Sequence, residues 1–360
     1  MKKTTTIFVF LLCAFSLSAM QQSTLEHSKP SMEERMQKVE DQLKIDTQYF
    51  DYLSSYAANC YLSVDALIWA AENYGWPAVT NPEGDFEEGD YRQRGMSFDP
   101  GFRLGFAVKT CYDWDVFLQY TYLHSSNKFH YIDDGAGMLS AFFPFAYLNF
   151  QSKFKLNYDM LDFEIGRPFN IAKTFVLKTH IGFRTGWIKQ KGMNKAENAL
   201  APAGFWTSPG IVTYKNKTWV MGPRIGFNAD YYFGTTGLSF YGNLAGALLY
   251  AKPEGTIQTY YFNIADGILE LRNTSRTTNK ELKSTIQAAF GLAWGDFITD
   301  DKDLALTLRL GWEGNYWWNM YDFSHNWSLG DPSGDPITFN YIVNSPLIMQ
   351  GMTISARLDF

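Results

Sequence analysis

Across residues 346–360 the side chains alternate in character. Met352, Ile354, Ala356, Leu358 and Phe360 share one parity, and Thr353, Ser355, Arg357 and Asp359 share the other. Successive residues of a strand point to opposite faces, so this segment has one oily and one polar side. The same period-two pattern recurs upstream, making ten such segments from Tyr61 onward. A chain built this way hides its oil either between packed sheets, as a sandwich or propeller does, or in lipid, as a transmembrane barrel does.

The oily parity holds Leu62, Val64, Ala66, Ile68 and Ala70 in residues 61–70, and Phe102, Leu104, Phe106 and Val108 in 98–108. Residues 114–123 follow with Trp114, Val116, Leu118, Tyr120 and Tyr122. In 153–165 the alternation breaks at Met160-Leu161, which reads as a bulge. Phe175, Leu177, Ile181 and Phe183 mark 174–187, and Trp219, Met221, Ile225 and Phe227 mark 218–230. Segments 238–249 and 285–296 come next, then 303–312 with Leu304, Leu306, Leu308, Leu310 and Trp312, and then the last strand. Each is close to the roughly 9–11 residues that cross a bilayer obliquely.

The connectors discriminate between the two solutions. Short ones (110–113, 167–173, 233–237, 298–302) alternate with long ones (73–94, 125–151, 189–217, 251–283, 319–344). Outer-membrane barrels have short periplasmic turns and long external loops, whereas a sandwich has no reason to alternate. The expected fold is therefore all-β: a transmembrane antiparallel up-and-down barrel of about ten strands spanning 60–360. Residues 142–150 and 258–271 each have the pattern of a further hairpin, leaving twelve or fourteen strands open.

The start of the chain agrees with export. Lys2 and Lys3 precede an apolar run over residues 7–17, and Ser16, Ser18 and Ala19 offer a cleavage site, so 1–19 reads as a signal peptide. Residues 20–58 form a periplasmic segment. Within it Met32, Met36, Val39 and Leu43 make a short amphipathic helical stripe. Charged residues are only 19% of the chain and the net charge is -6, so nothing points to nucleic acid. The terminal aromatic, Phe360, is the expected recognition feature for the barrel-assembly machinery and closes the wall against the first strand.

A short pattern recurs four times: Arg103-Leu-Gly-Phe, Arg184-Thr-Gly-Trp, Arg224-Ile-Gly-Phe and Arg309-Leu-Gly-Trp. In each, arginine and glycine lie on the polar parity. Arginine in the lipid face at mid-membrane costs about 2–4 kcal/mol, so all four must face the lumen. Lys178, Asp115 and Glu313 share that face. These seven residues are the candidate pore lining, and two readings stay open. The arginines form an anion-favouring constriction, or they are locked to lumenal carboxylates such as Asp65, Asp115, Asp159, Glu164, Asp230 and Glu313 and fill the interior.

Cys60 and Cys111 fall at the periplasmic ends of neighbouring strands, a placement that permits a disulfide. Trp76, Trp114, Trp219, Trp294, Trp317 and Trp318 stand near strand ends, as an aromatic girdle would. His124 and His130 near Asp133-Asp134 are too slight a basis for catalysis, His180 belongs to the lumen, and no cofactor or metal-binding motif occurs.

The segments SVDALIWAAE (63–72), FDPGFRLGF (98–106), DWDVFLQYTYLHS (113–125), KLNYDMLDFEIGRPF (155–169) and IGFRTGWIKQ (181–190) together resemble the Legionella-type major outer membrane protein family, which also occurs in chlamydia-like bacteria. The resemblance runs from about residue 61 to 360. It implies an abundant, surface-exposed, pore-forming barrel of the bacterial cell outer membrane and carries over no catalytic residues. The expected function is passive diffusion of small hydrophilic solutes or ions. The alternative is a filled barrel serving as envelope scaffold or adhesin. Expected partners are outer-membrane lipid, small solutes and other copies of the chain.

Overall fold

A computed structural model describes residues 36–37, 60–73, 79–81, 90–92, 97–110, 114–132, 138–140, 143–199, 210–234, 236–263, 268–299, 303–330 and 336–360. The chain divides into two units, Met1–Asp51 and Tyr52–Phe360. In the first, Met36 and Gln37 are helical and exposed. The remainder of the expected helix and the signal peptide lie outside the described residues.

The second unit is built of strands β1 (Cys60–Asn73), β2 (Val79–Asn81), β3 (Asp90–Arg92), β4 (Phe98–Lys109), β5 (Asp115–Ile132), β6 (Met138–Ser140) and β7 (Phe143–Ala172). Then come β8 (Phe175–Ala199), β9 (Gly210–Tyr232), β10 (Leu238–Asn263), β11 (Ile268–Thr277), β12 (Glu281–Phe297), β13 (Ala305–Gly330) and β14 (Pro336–Asp359). Ten of them make a closed antiparallel wall in the order β1, β4, β5, β7, β8, β9, β10, β12, β13, β14. β14 returns to β1 from Tyr61↔Asp359 to Asn73↔Leu347, and Cys60 and Phe360 exchange two backbone hydrogen bonds of 3.0 Å. The last strand thus closes the wall, as its pattern implies. At the level of the lipid belt the described wall strands have no open edge, where lipid would not tolerate unpaired N–H and C=O groups.

The segments suspected of holding extra hairpins add no wall strand. β11 pairs with β10 outward of the point where β12 leaves it, so it continues the β12 line. β6 pairs with the outer end of β7, and β2 with β3 and β6. Of the short connectors, 167–173 is mostly strand, since β7 runs to Ala172 and the chain turns at residues 173–174; residues 111–113, 235 and 300–302 of the others lie outside the described residues. The β9–β10 turn needs left-handed backbone at Gly234 (φ 61°) and Gly237 (φ 71°), where a Cβ on Gly237 would stand 2.3 Å from the Gly295 carbonyl.

The apolar parity faces outward along the lower wall. Leu62, Phe106, Leu118, Phe163, Phe183, Ile225, Phe240, Leu292, Leu310 and Ile354 are all exposed on it. Ala70, expected on this face, is instead buried; Phe98, its register partner, meets Trp312 with ring centroids 6.1 Å apart across the closing seam.

Further out, both faces change character at one level. On β7 the outward side passes from Phe163 and Leu161 to Asp159, Asn157, Lys155 and Lys153, while the inward side passes from Glu164 and Asp162 to Met160, Tyr158, Leu156 and Phe154. Register puts Asp159 beside Trp187, Trp187 beside Trp219, and Trp219 beside Lys252, so the switch lies along one row of the sheet. Below that row the solvent outside is lipid. Above it the outward residues are polar, and the strand extensions enclose an apolar interior.

This inversion corrects four expectations. Met160-Leu161 is no bulge, since pairing runs unbroken through both residues to β5 and β8. Asp159 therefore faces outward, where it accepts a hydrogen bond from the Tyr120 hydroxyl at 3.0 Å, and does not line the lumen. Most of the long connectors are strand: β8 runs to Ala199 and β9 begins at Gly210. Trp317 is no girdle residue, because it points inward with 0% exposure. Trp114, Trp219, Trp294 and Trp318 do face outward, joined by Trp187, while Trp76 lies outside the described residues.

Candidate functional site

The lumen holds two stacked layers. In the membrane-level layer the recurring arginines all point inward, and each meets a carboxylate. Arg103 donates through Nη1 and Nη2 to the Glu313 carboxylate at 3.0 and 2.7 Å, and to Asp65 at 3.3 Å, with Nε on Thr121 Oγ1 at 3.2 Å. Arg184 grips Asp162 with two bonds of 2.6 and 2.7 Å. Arg224 donates to Glu164 at 2.6 Å, and Glu164 also faces His180 Nδ1 at 3.1 Å. Arg309 lies 3.5 Å from Asp230 and 5.1 Å over the Tyr241 ring.

Gln287 joins these pairs. Its carbonyl accepts from Arg184 and Arg224 at 2.9 and 2.8 Å, and its amide donates to Glu313 at 2.6 Å. β12, which carries Gln287, is three places round the wall from β8, which carries Arg184. The bond therefore crosses the lumen. Glycine next to each arginine keeps the neighbouring strand close. A Cβ on Gly105 would meet Ser63 Oγ at 2.3 Å, one on Gly226 the Leu244 carbonyl at 2.6 Å, and one on Gly311 the Tyr241 hydroxyl at 2.2 Å.

Below this layer is a polar cavity of about 170 Å³, also bordered by Lys178 paired to Asp115 and by Arg357. Its walls carry five basic side chains (Arg103, Lys178, Arg224, Arg309 and Arg357) and five carboxylates (Asp65, Asp115, Glu164, Asp230 and Glu313). The formal charges of these ten side chains cancel.

Above it, apolar residues from β1, β5, β7, β8, β9, β10, β13 and β14 converge. Leu123, Leu156, Ile188, Val220, Leu249, Trp317 and Leu347 are 0% exposed, so water does not reach them from inside the barrel. Close packing of this kind leaves few voids as large as a water molecule.

All seven expected lining residues stand on the lumenal face. Asp162 and Gln287 were missed by sequence reading, although parity with Glu164 would have placed Asp162 inside. Among the described residues Cys60 has no disulfide partner, and Cys111, its expected one, lies outside them. His124 and His130 face outward from β5 and meet Asn157 and Asn149, while Asp133 and Asp134 lie outside the described residues.

The sequence profile described as Legionella pneumophila major outer membrane protein precursor matches residues 54–359. The chain belongs to that family. It is an outer-membrane β-barrel protein of the bacterial cell. No curated protein matches the sequence. Solved structures with similar strand arrangements include the Escherichia coli outer membrane protease OmpT (11% identity, 84% of this chain and 96% of that chain, TM-score 0.40). Others are the Pseudomonas putida toluene transporter TodX (10%, 84% and 90%, 0.31) and a Thermus thermophilus major outer membrane protein (12%, 84% and 99%, 0.24). Likenesses this slight carry neither proteolysis nor transport over to the Legionella-type family member.

Proposed function

We propose that this family member is a closed barrel, an envelope scaffold that displays its outward strand extensions at the cell surface, and not an enzyme. The observation that supports this reading is the apolar layer, whose side chains from eight wall strands are shielded from water inside the lumen. A resident passage would expose such residues, and holding an oily constriction wet is costly. Phe360, half exposed at the end of the closing strand, suits recognition by the barrel-assembly machinery.

Passive diffusion of small hydrophilic solutes is the second reading, supported by the charged cavity at membrane level. It requires the apolar layer to move. Planar-bilayer recording from pure folded protein separates the two. A silent bilayer over many insertions is expected. Stable unit conductances at low voltage would overturn the closed barrel in favour of diffusion through the cavity.

A further inference from the structure

The outer wall just beyond the lipid belt carries a block of like charge that the fold barely neutralises. Register sets Lys155, Lys191 and Lys215 side by side on β7, β8 and β9. One row nearer the membrane Lys189 lies directly beside Lys217, and one row further out Lys153 faces the same way. All six are exposed. Directly paired residues hold their Cβ atoms about 4.5–5.5 Å apart, and like charges so placed repel.

Carboxylates on this face are few. Asp159 reaches Lys189 at 3.9 Å, and Glu254, which pairs in register with Lys217, is engaged by Lys252 at 3.3 Å. Among the described residues no carboxylate forms an ion pair with Lys153, Lys155, Lys191, Lys215 or Lys217.

Height completes the argument. The row immediately inward of Lys189 and Lys217 is Trp187 and Trp219, which mark the upper rim of the lipid belt. Two residues along a strand advance about 6.6 Å. Lys189 and Lys217 therefore stand one such step beyond the tryptophans, and Lys155, Lys191 and Lys215 two, at headgroup level above exposed Phe163 and Phe183. Side-by-side lysines are stable there when anions from outside the chain sit between them.

We propose that this face of β7, β8 and β9 binds the phosphorylated headgroup of an outer-leaflet glycolipid. The phosphates bridge the Lys155–Lys191–Lys215 and Lys189–Lys217 rows, and the acyl chains lie along the belt below Trp187 and Trp219. The site is on the outer wall and does not depend on whether the lumen conducts.

The test uses the full folded chain in detergent with EDTA, titrated with bisphosphorylated lipid A and read by native mass spectrometry. Dephosphorylated lipid of the same acylation is the control. Binding is expected only with the phosphates. It should weaken at least about tenfold when Lys155→Gln, Lys191→Gln and Lys215→Gln are combined, and it should survive the corresponding changes to Arg. The Gln substitutions are exposed and relieve repulsion, so the barrel should keep its heat-modifiable mobility on gels. A second measure needs no variant: wild-type affinity should fall as salt rises and screening shortens to a few ångströms. Equal binding of dephosphorylated lipid, unchanged binding by the Gln variant, or indifference to salt would each overturn the proposal. So would displacement of the lipid by millimolar inorganic phosphate, which would make this a site for free phosphate.

Discussion

Arg103 on β4 and Glu313 on β13 join through two hydrogen bonds of 3.0 and 2.7 Å, although β1 and β14 lie between their strands in the wall. Glu313 also accepts from Gln287 and Asn315, so one carboxylate holds together three strands' worth of donors. Removing one partner of a buried pair leaves an uncompensated charge, at about 3–5 kcal/mol. Asp65 remains beside Arg103 at 3.3 Å, which places Glu313→Ala at the lower end of that range. Urea unfolding of the detergent-folded protein should show a loss of about 3 kcal/mol. An unchanged midpoint would mean the cross-lumen network is ornamental.

Arg184 and Asp162 form a more self-contained pair, 2% and 1% exposed. Arg184→Met alone strands the carboxylate. The double change Arg184→Met with Asp162→Leu replaces the pair by apolar side chains, an exchange that is commonly neutral or stabilising. The double variant should therefore be more stable than the single one. A double variant weaker than the single would show that the ion pair itself, and not the avoidance of a lone charge, supports the layer.

Parity alone placed Arg103, Arg184, Arg224 and Arg309 in the lumen, because alternation in a lipid-bathed wall admits one orientation only. What a single strand does not reveal is where the outside stops being lipid. On β7 the pattern changes sign at Met160-Leu161, and an inserted residue or a change of solvent produces the same local sequence. The neighbours decide it: Trp187 gives way to Lys189, Trp219 to Lys217 and Tyr250 to Lys252 on their outward faces. Seeing that these switches share a level requires the register. The assumed bulge let Asp159 share the inward side with Glu164, while Asp162, two residues from Glu164 and on its parity, was passed over. Trp317 went astray differently, since a tryptophan near a strand end suits a girdle by type, while its parity with Glu313 and Asn315 assigns it to the core. The partnership of Arg103 with Glu313 spans 210 residues of sequence, beyond what local spacing conveys.

Gly311 allows the crowding around Arg309. A Cβ there would stand 2.2 Å from the Tyr241 hydroxyl and 2.4 Å from the Phe290 carbonyl, and Tyr241 is the ring beneath the Arg309 guanidinium. Gly311→Ala should destabilise by about 1–3 kcal/mol, the usual cost of overpacking. Adding Tyr241→Phe removes the hydroxyl but leaves the backbone carbonyl, so it should restore part of the loss. Full restoration in the unfolding midpoint would show that the backbone contact is slack.

The level at which lipid gives way to water can be tested on one face of one strand. Phe163 and Lys155 both point outward from β7, the first below the switch and the second above it. Phe163→Arg should cost about 2–4 kcal/mol, as charge does near the bilayer midplane. Lys155→Leu should stay within about 0.5 kcal/mol, as most surface changes do. Similar penalties for the two would mean the lipid belt reaches past Trp187, and the extension would not be in water.

Tyr158 and Trp317 meet edge-on in the apolar layer, ring centroids 6.0 Å apart, at 2% and 0% exposure. They are among the largest fully buried side chains of that layer, and they come from β7 and β13, which lie far apart in the wall order. Truncating a buried aromatic to alanine costs about 3–5 kcal/mol and leaves a cavity that collapses only in part. The wall's backbone pairing does not depend on either ring, so Trp317→Ala should still insert as a folded barrel. Its cavity would adjoin the charged layer and let water in from the membrane-level side. If the lumen is closed as proposed, planar-bilayer traces of Trp317→Ala, and separately of Tyr158→Ala, should show brief openings that the parent chain lacks. Silence from both variants, with folding verified by gel mobility, would mean that the remaining apolar side chains seal the lumen without them.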